Sequence, residues 1–392
     1  MAFKGKHVVI FSSNCLFSSS EELQPQMKEE IVALSKNGNF DLHFTSHRNP
    51  TRIMLRSIPD GITCTFQCRG QLLREFIKHR WQAGDVVIIC GVVDNDLHVA
   101  ASTKSFLLAA LWVDAGEKVC KYGVPATTPK KMSAILNIVN NQTSWYYLCS
   151  FDDPVPTKVV SLCCANTFSS GNEDEKAMAT AFQAVLKDGD KNPIIKEALL
   201  YHLMAAIAHD IDFRDVQDWA VAPSSSPEPS EVLEDFLKEH VRHMMNGRKP
   251  EAIFKRHKQT NKSRYDNPAE RRRVDYIQKH FRSICVNEAY KDKLEDRVVC
   301  VFDDFLTHGQ TFESLRNLLV SCKVKKIILV SIGKFIGGRE SRYTQRNHSI
   351  RGNLYSSDYE ATFEECKDWP FEISDAARCS LASLKELACQ LG

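Results

Sequence analysis

Val298-Val-Cys-Val-Phe-Asp303-Asp304-Phe-Leu-Thr307-His308-Gly309-Gln310-Thr311, followed by Phe-Glu-Ser-Leu-Arg-Asn-Leu-Leu, is the stretch on which the fold turns. Its five leading apolar residues predict a strand buried on both faces. Two carboxylates stand at the carboxyl end of that strand, and a short Thr/Gly loop opens a helix. Open α/β sheets bind ligands at this place. Loop N–H groups and a helix N-terminus favour a phosphate dianion. Gly309 lets the backbone approach it closely, and the Thr307 and Thr311 hydroxyls can donate further hydrogen bonds. A phosphate would repel the two carboxylates, whereas ribose hydroxyls suit them, with Mg²⁺ nearby to offset the charge. Phosphate at one end and a diol at the other describe a ribose 5-phosphate.

Outward from this stretch, strand-like apolar runs alternate with helix-like segments through most of the chain, which predicts an α/β fold with mostly parallel sheets. In the first half, strands are expected at Val8–Phe11, Asp41–Thr45 and Val86–Cys90. Helices are expected at 22–35, at Leu72–Trp81 and at Val99–Val113, giving one doubly wound unit that ends near Asn140. A second unit opens with strands at Trp145–Ser150 and Lys158–Cys164, then helices at 173–186 and Ile194–Ile207. A short strand, Trp219–Ala222, runs into Pro223-Ser-Ser-Ser226-Pro-Glu-Pro229 and a helix at Ser230–Met245, for which Ser230 is the expected N-cap. A helix carrying Arg271-Arg272-Arg273 is expected to run to Phe281, and the last strand is Lys326–Ile332. The tail from Ser356 is rich in Cys, Asp and Glu and is expected to end in a helix, Ser374–Leu391. The chain therefore divides into two doubly wound domains, 1–145 and 146–392, as its length of 392 residues suggests.

Composition narrows the class without naming it. With 43% hydrophobic and 26% charged residues, the chain is a soluble globular protein by composition. A net charge of +2 gives no global case for a nucleic-acid or membrane partner. Only Lys238–Arg282 is locally basic, and its sparse aromatics (Phe254, Tyr265, Tyr276, Phe281) make nucleic-acid binding there the weaker reading. No signal peptide and no membrane-spanning stretch is read, so a cytoplasmic location is expected. The 14 cysteines form no CxxC pair; Cys90, Cys149, Cys163, Cys164 and Cys300 sit in apolar runs and are expected to be buried thiols.

The 298–311 stretch resembles the binding motif for 5-phosphoribosyl-1-pyrophosphate (PRPP) of type I phosphoribosyltransferases: apolar residues, an acidic pair, two apolar residues, then Thr-x-Gly-x-Thr. His308 departs from it, standing where the family usually has Thr, Ser, Ala or Arg. The resemblance implies that Asp303 and Asp304 hold the ribose and, through ribose or water, Mg²⁺. Thr307, His308, Gly309, Gln310 and Thr311 would anchor the 5-phosphate. The loop after Trp219–Ala222, with Ser224 and Ser225, would cradle the pyrophosphate. Phe254-Lys-Arg-His-Lys-Gln-Thr260 and Asn267-Pro-Ala-Glu-Arg-Arg-Arg273 resemble a segment of competence-type phosphoribosyltransferases, in the position of the family's mobile catalytic loop. Lys255, Arg256 and Lys258 would there meet the leaving pyrophosphate. The variable hood that reads the acceptor would be built from Lys158–Ile207, and no residue in it points to a particular acceptor.

The first 140 residues resemble the haloacid dehalogenase (HAD) fold in outline. Where that family has its Asp-x-Asp-x-Thr nucleophile motif, this chain has Ser12-Ser13-Asn14-Cys15-Leu16. Thr45 would stand for the second motif, Lys78 for the third, and Asp94 and Asp96 for the acidic fourth. The chemistry needs one carboxylate to attack phosphorus and a second to carry a proton. Ser12, Asn14, Thr45, Lys78, Asp94 and Asp96 are therefore expected to form a vestigial site in a catalytically inactive domain. Two functions remain open: a Mg²⁺-dependent phosphoribosyltransferase with an unidentified acceptor, or a PRPP- or nucleotide-sensing module of a bacterial stress or anti-phage system, without turnover. In either case a homo-oligomer or a place in a larger complex is expected, and the tail is expected to cover the site or make a subunit contact.

Overall fold

The computed structural model describes residues 5–167, 173–225, 230–261, 267, 269, 273–337 and 341–391. Its first sheet contains β1 (His7–Ser12), β2 (Phe40–Ser46), β3 (Cys64–Cys68), β4 (Val86–Gly91), β5 (Phe106–Ala110) and β6 (Val124–Ala126). They are all parallel, in the order β3-β2-β1-β4-β5-β6. The order reverses between β1 and β4, which places a topological switch point at their carboxyl ends. β1 and β4 are buried along their whole length, built around the apolar runs Val8–Phe11 and Val86–Cys90. Four main helices cover the sheet: α1 (Pro25–Lys36), α2 (Gln71–Gln82), α3 (Asp94–Thr103) and α4 (Pro129–Asn141). In α1, Pro25 occupies the first turn and Met27, Ile31 and Leu34 form the buried stripe.

The helix expected at Val99–Val113 is a helix and a strand. α3 ends where Lys104 turns left-handed (φ 49°), and the following run Phe106–Ala110 is the buried strand β5. A short apolar run has no periodicity that separates a central strand from a buried helix. The weakly patterned edge strands β3 and β6 also lie outside the expectation.

The second sheet is mixed. β7 (Tyr147–Phe151) and β8 (Thr157–Cys164) are antiparallel; then come α5 (Glu173–Gln183), α6 (Pro193–His209) and β9 (Asp218–Val221). β10 (Phe254–Arg256) and β11 (Ile284–Val286) form a small separate ribbon. β12 (Val298–Leu306) leads into α7 (Gln310–Ser321) and β13 (Lys326–Lys334). A hairpin of β14 (Tyr343–Asn353) and β15 (Asp358–Trp369), the edge strand β16 (Glu372–Ile373) and α8 (Asp375–Leu391) complete the chain. The sheet order is β16-β7-β8-β13-β12-β9, parallel from β8 to β9. Alternate residues divide its two faces: Cys300, Phe302, Ile328 and Val330 on one side, Val299, Val301, Ile327 and Leu329 on the other. Between β9 and β10, the helix expected at Ser230–Met245 is wound in the π form at Glu231–Lys238 and continues as α through Met244, with Ser230 capping it. Of the helix expected to carry Arg271-Arg272-Arg273, Arg271 and Arg272 lie outside the described residues. From Arg273 the chain makes one turn of 3₁₀-helix, Val274–Ile277, and one of α-helix, Gln278–Phe281.

One hydrophobic cluster runs from the first sheet through α6 into the second. Residues Ala198–Ile207 of α6 are buried on every side, the placement demanded by a helix apolar all round. Two histidines ride on it. His202 contacts the Gln142 side chain, and His209 Nε2 lies 3.0 Å from His7 Nε2 of β1. Burial pushes His202 down to about 3; burial, then the neighbouring His209, pushes His7 to about 3; burial pushes His209 to about 4. The unfolded chain binds protons at these positions near pH 6.5, and the folded chain refuses them. Their contribution to stability is therefore complete above pH 6.5 and lost as pH falls from there toward 3. Each can contribute a slope of up to about 1.4 kcal/mol per pH unit. Urea denaturation at successive pH values should show this fall, and His7→Phe/His209→Leu should flatten it; a wild-type midpoint constant from pH 6.5 to 4.5 would refute the assignment. No helix among the described residues is long and apolar enough to cross a membrane. Cys90, Cys149, Cys163, Cys164 and Cys300 are buried free thiols.

Candidate ligand site

β12 delivers Asp303 and Asp304 at the carboxyl ends of the parallel strands. Both line a cavity of about 550 Å³, together with Thr307, His308, Gly309, Gln310 and Thr311. Ser224 and Ser225, at the end of β9, line it from the far side, and Arg256 from β10. The sequence thus places ten of its candidate residues around one space of ligand size.

The loop is held from beneath. Lys334 Nζ, fully buried at the end of β13, donates to the Thr307 carbonyl (2.8 Å), and Arg346 Nη1 donates to the His308 carbonyl (3.1 Å). Trans peptides set N–H antiparallel to C=O, so the next N–H groups face the other way. Gly309 caps α7 in the left-handed region (φ 70°). A Cβ there would lie 3.0 Å from Cε2 of Tyr343, so the position needs glycine on both counts. The first-turn N–H groups of α7 have no acceptor within the helix, and its positive end meets the loop.

Electrostatics at the acidic end are asymmetric. Burial, and then the adjoining Asp304 charge, push the Asp303 carboxyl well above the usual carboxylate range. Asp304 has a cationic neighbour that no sequence signal singles out: Lys187 Nζ lies 3.4 Å from its Oδ1 and 4.9 Å from the centre of the Phe305 ring. Lys187 belongs to the segment expected to form the hood. On a helix, a lone lysine carries nothing that separates a site residue from a solvated one. Lys334 closes the buried strand Lys326–Lys334 with a charge, a signal that marks it as unusual without showing what it holds.

The expected pyrophosphate cations are placed differently. Arg256 is buried, and its guanidinium donates to the carbonyls of Pro223 and Ser224 and to Ser283 Oγ. It fixes the Pro223–Ser225 loop instead of presenting a free fork to a ligand. Lys255 is exposed on the opposite side of β10, and Lys258 is exposed beyond it; neither lines the cavity. β10 alternates its side chains, so Lys255 and Arg256 cannot face one ligand together. Most of the intervening catalytic-loop segment lies outside the described residues. Two carboxylates suit Mg²⁺ only when ligand oxygens complete its shell. Among the described residues no group of three or more His, Cys, Asp or Glu side chains could hold a metal.

In the first sheet, the switch point is filled by protein. Arg69, buried at the end of β3, donates to Ser12 Oγ (2.9 Å) and pairs with Asp96 Oδ1 (2.9 Å). Asp96 Oδ2 also accepts from the N–H groups of Val92 and Val93, and Asp94 accepts from those of Lys118 and Val119. Thr45 is buried at the end of β2 and Asn14 is exposed. Lys78 is exposed partway along α2 and does not join this group; Arg69 is the cation between the ends of β1 and β4.

No family model, curated protein or solved structure matches the chain.

Proposed function

We propose that this cavity binds PRPP and that the chain is a type I phosphoribosyltransferase. The observation that carries the reading is the sharing of one cavity by the Asp303–Asp304 pair and the N-terminus of α7. The acidic pair takes the ribose diol, and the loop with the Thr307 and Thr311 hydroxyls takes the 5-phosphate. In the reaction the C1–O bond to pyrophosphate breaks with its electron pair leaving on pyrophosphate, and an acceptor lone pair forms the new bond to C1. Bound Mg²⁺ would supply charge neutralisation for the pyrophosphate. The protein's part is to hold the ribose and to keep water out of the reacting face.

Calorimetric titration with PRPP and Mg²⁺ should give saturable binding, weakened at least about 100-fold in Asp303→Asn/Asp304→Asn, a loss of roughly 2.7 kcal/mol. Pyrophosphate should be released once a competent acceptor is supplied. Equal binding by the variant, or no binding by the wild type, would overturn the assignment.

A second reading, binding without turnover, is favoured by the commitment of Arg256 to loop carbonyls. It predicts PRPP binding with no pyrophosphate released across a broad acceptor panel. We read the first 145 residues as a HAD-like scaffold without hydrolase chemistry. Asp96 is tied to Arg69 and Asp94 to the N–H groups of Lys118 and Val119, which leaves no carboxylate poised there for attack among the described residues.

A further inference from the structure

The arm that carries Lys187 is built to put a cation on the acidic pair. α5 ends at Gln183, whose Nε2 donates to the Ala165 carbonyl just past β8 (2.9 Å). The chain then widens into a π-helix, Ala184–Asp188, that stops where Gly189 turns left-handed (φ 78°). π-turns of this kind are uncommon and concentrate at functional sites. α8 clamps the other end of the arm: Arg378 pairs in bidentate fashion with buried Glu175 (2.9 and 2.9 Å), and Lys385 with Asp174 (2.6 Å). Lys187 therefore reaches Asp304 from a tethered support, with its ammonium against the face of Phe305.

These contacts set the charge count at the site. The Lys187 ammonium faces the Asp304 carboxylate inside the cavity, and Arg256 lines the same cavity beside the acidic pair. The acidic end thus has a cation of the protein's own facing the pair within the cavity. Lys187 and Asp304 are each about 30% exposed (31% and 30%), so the pair opens onto the cavity where a ligand can reach it.

We infer that Lys187 is the built-in counter-cation of the ribose site, so that a 5-phosphorylated ribose without a pyrophosphate group binds in the absence of any divalent metal. This inference rests on the ribose 5-phosphate reading of the same cavity. Divalent metal is then required for the pyrophosphate of PRPP and not for the ribose. Lys187 is a binding residue that answers to the diol, and its ammonium and a metal ion serve the same carboxylate interchangeably.

The test is titration of ribose 5-phosphate and, separately, of PRPP, each with EDTA and with millimolar Mg²⁺, on the wild type, Lys187→Met and Lys187→Arg. Lys187 is part-exposed, and thermal melting controls for folding. Ribose 5-phosphate should bind the wild type in EDTA with an affinity that Mg²⁺ alters little. Lys187→Met should lose roughly tenfold in EDTA and regain most of it with Mg²⁺, whereas Lys187→Arg should keep metal-free binding. Rescue by Mg²⁺ is a response that a merely structural lysine would not give. Wild-type binding of ribose 5-phosphate that requires Mg²⁺, or equal binding by Lys187→Met in EDTA, overturns the inference while leaving the PRPP reading intact. Failure of the wild type to bind either ligand under either condition overturns both.

Discussion

Arg316→Met should lower folding stability by about 3–5 kcal/mol, the effect of leaving one buried charge without its partner. Arg316 and Glu313 are both fully buried, one turn apart on α7. Arg316 Nε and Nη2 donate to the two Glu313 oxygens (3.0 and 2.8 Å), and Nη2 also reaches Asn347 Oδ1 (2.6 Å). Glu313 accepts in turn from Tyr343 Oη and from the Arg346 N–H, both at 2.7 Å. The pair is thus a rivet between α7 and the β14–β15 hairpin. Glu313→Gln should be damaging too, and Arg316→Met/Glu313→Gln should be less so than the sum, because no unpaired charge remains. Equilibrium urea unfolding measures all three. A loss below about 1 kcal/mol in Arg316→Met would mean that the carboxylate is solvated and that the hairpin is held by other contacts.

This rivet also shows where sequence reading reached and where it stopped. Asp303 to Thr311 was legible because strand, acidic pair, loop and helix are consecutive residues, each with a local physical signature. What holds them was not. Lys334, Tyr343 and Arg346 come from later strands, and Lys187 from an earlier arm; only the folded sheet brings them under or over the loop. Tyr343–Asn353 reads as a polar run, since its buried residues Gln345, Arg346, Asn347 and His348 are hydrophilic; the last three take partners from α7, and Gln345 bonds to the Asp153 carbonyl and to Trp369. Phe106–Ala110 failed for the opposite reason, being apolar throughout and too short to show a period. The basic segment around Arg256 was read as a set of ligand cations. A charge pattern cannot reveal that a guanidinium has found carbonyl partners within its own fold.

Gly309→Val should weaken binding of ribose 5-phosphate, and of inorganic phosphate as its minimal probe, by at least about 100-fold, or roughly 2.7 kcal/mol. Two constraints meet at this residue. Its φ of 70° is left-handed, which costs a β-branched side chain more than the roughly 1–2 kcal/mol it costs an ordinary one. A Cβ would also press on the Tyr343 ring at 3.0 Å, and that ring cannot swing away without releasing its hydrogen bond to buried Glu313. The loop itself must yield. Lys334 and Arg346 hold the Thr307 and His308 carbonyls, so the movement falls on the peptides at Gly309 and Gln310, whose N–H groups open α7. Gly309→Ala meets the same two constraints more mildly, and its loss should be nearer tenfold. The graded order glycine, alanine, valine in affinity, with the melting temperature falling far less steeply, separates a phosphate loop from a merely structural turn. Undiminished affinity in Gly309→Val would place the phosphate elsewhere in the cavity and detach the loop from the ribose 5-phosphate reading.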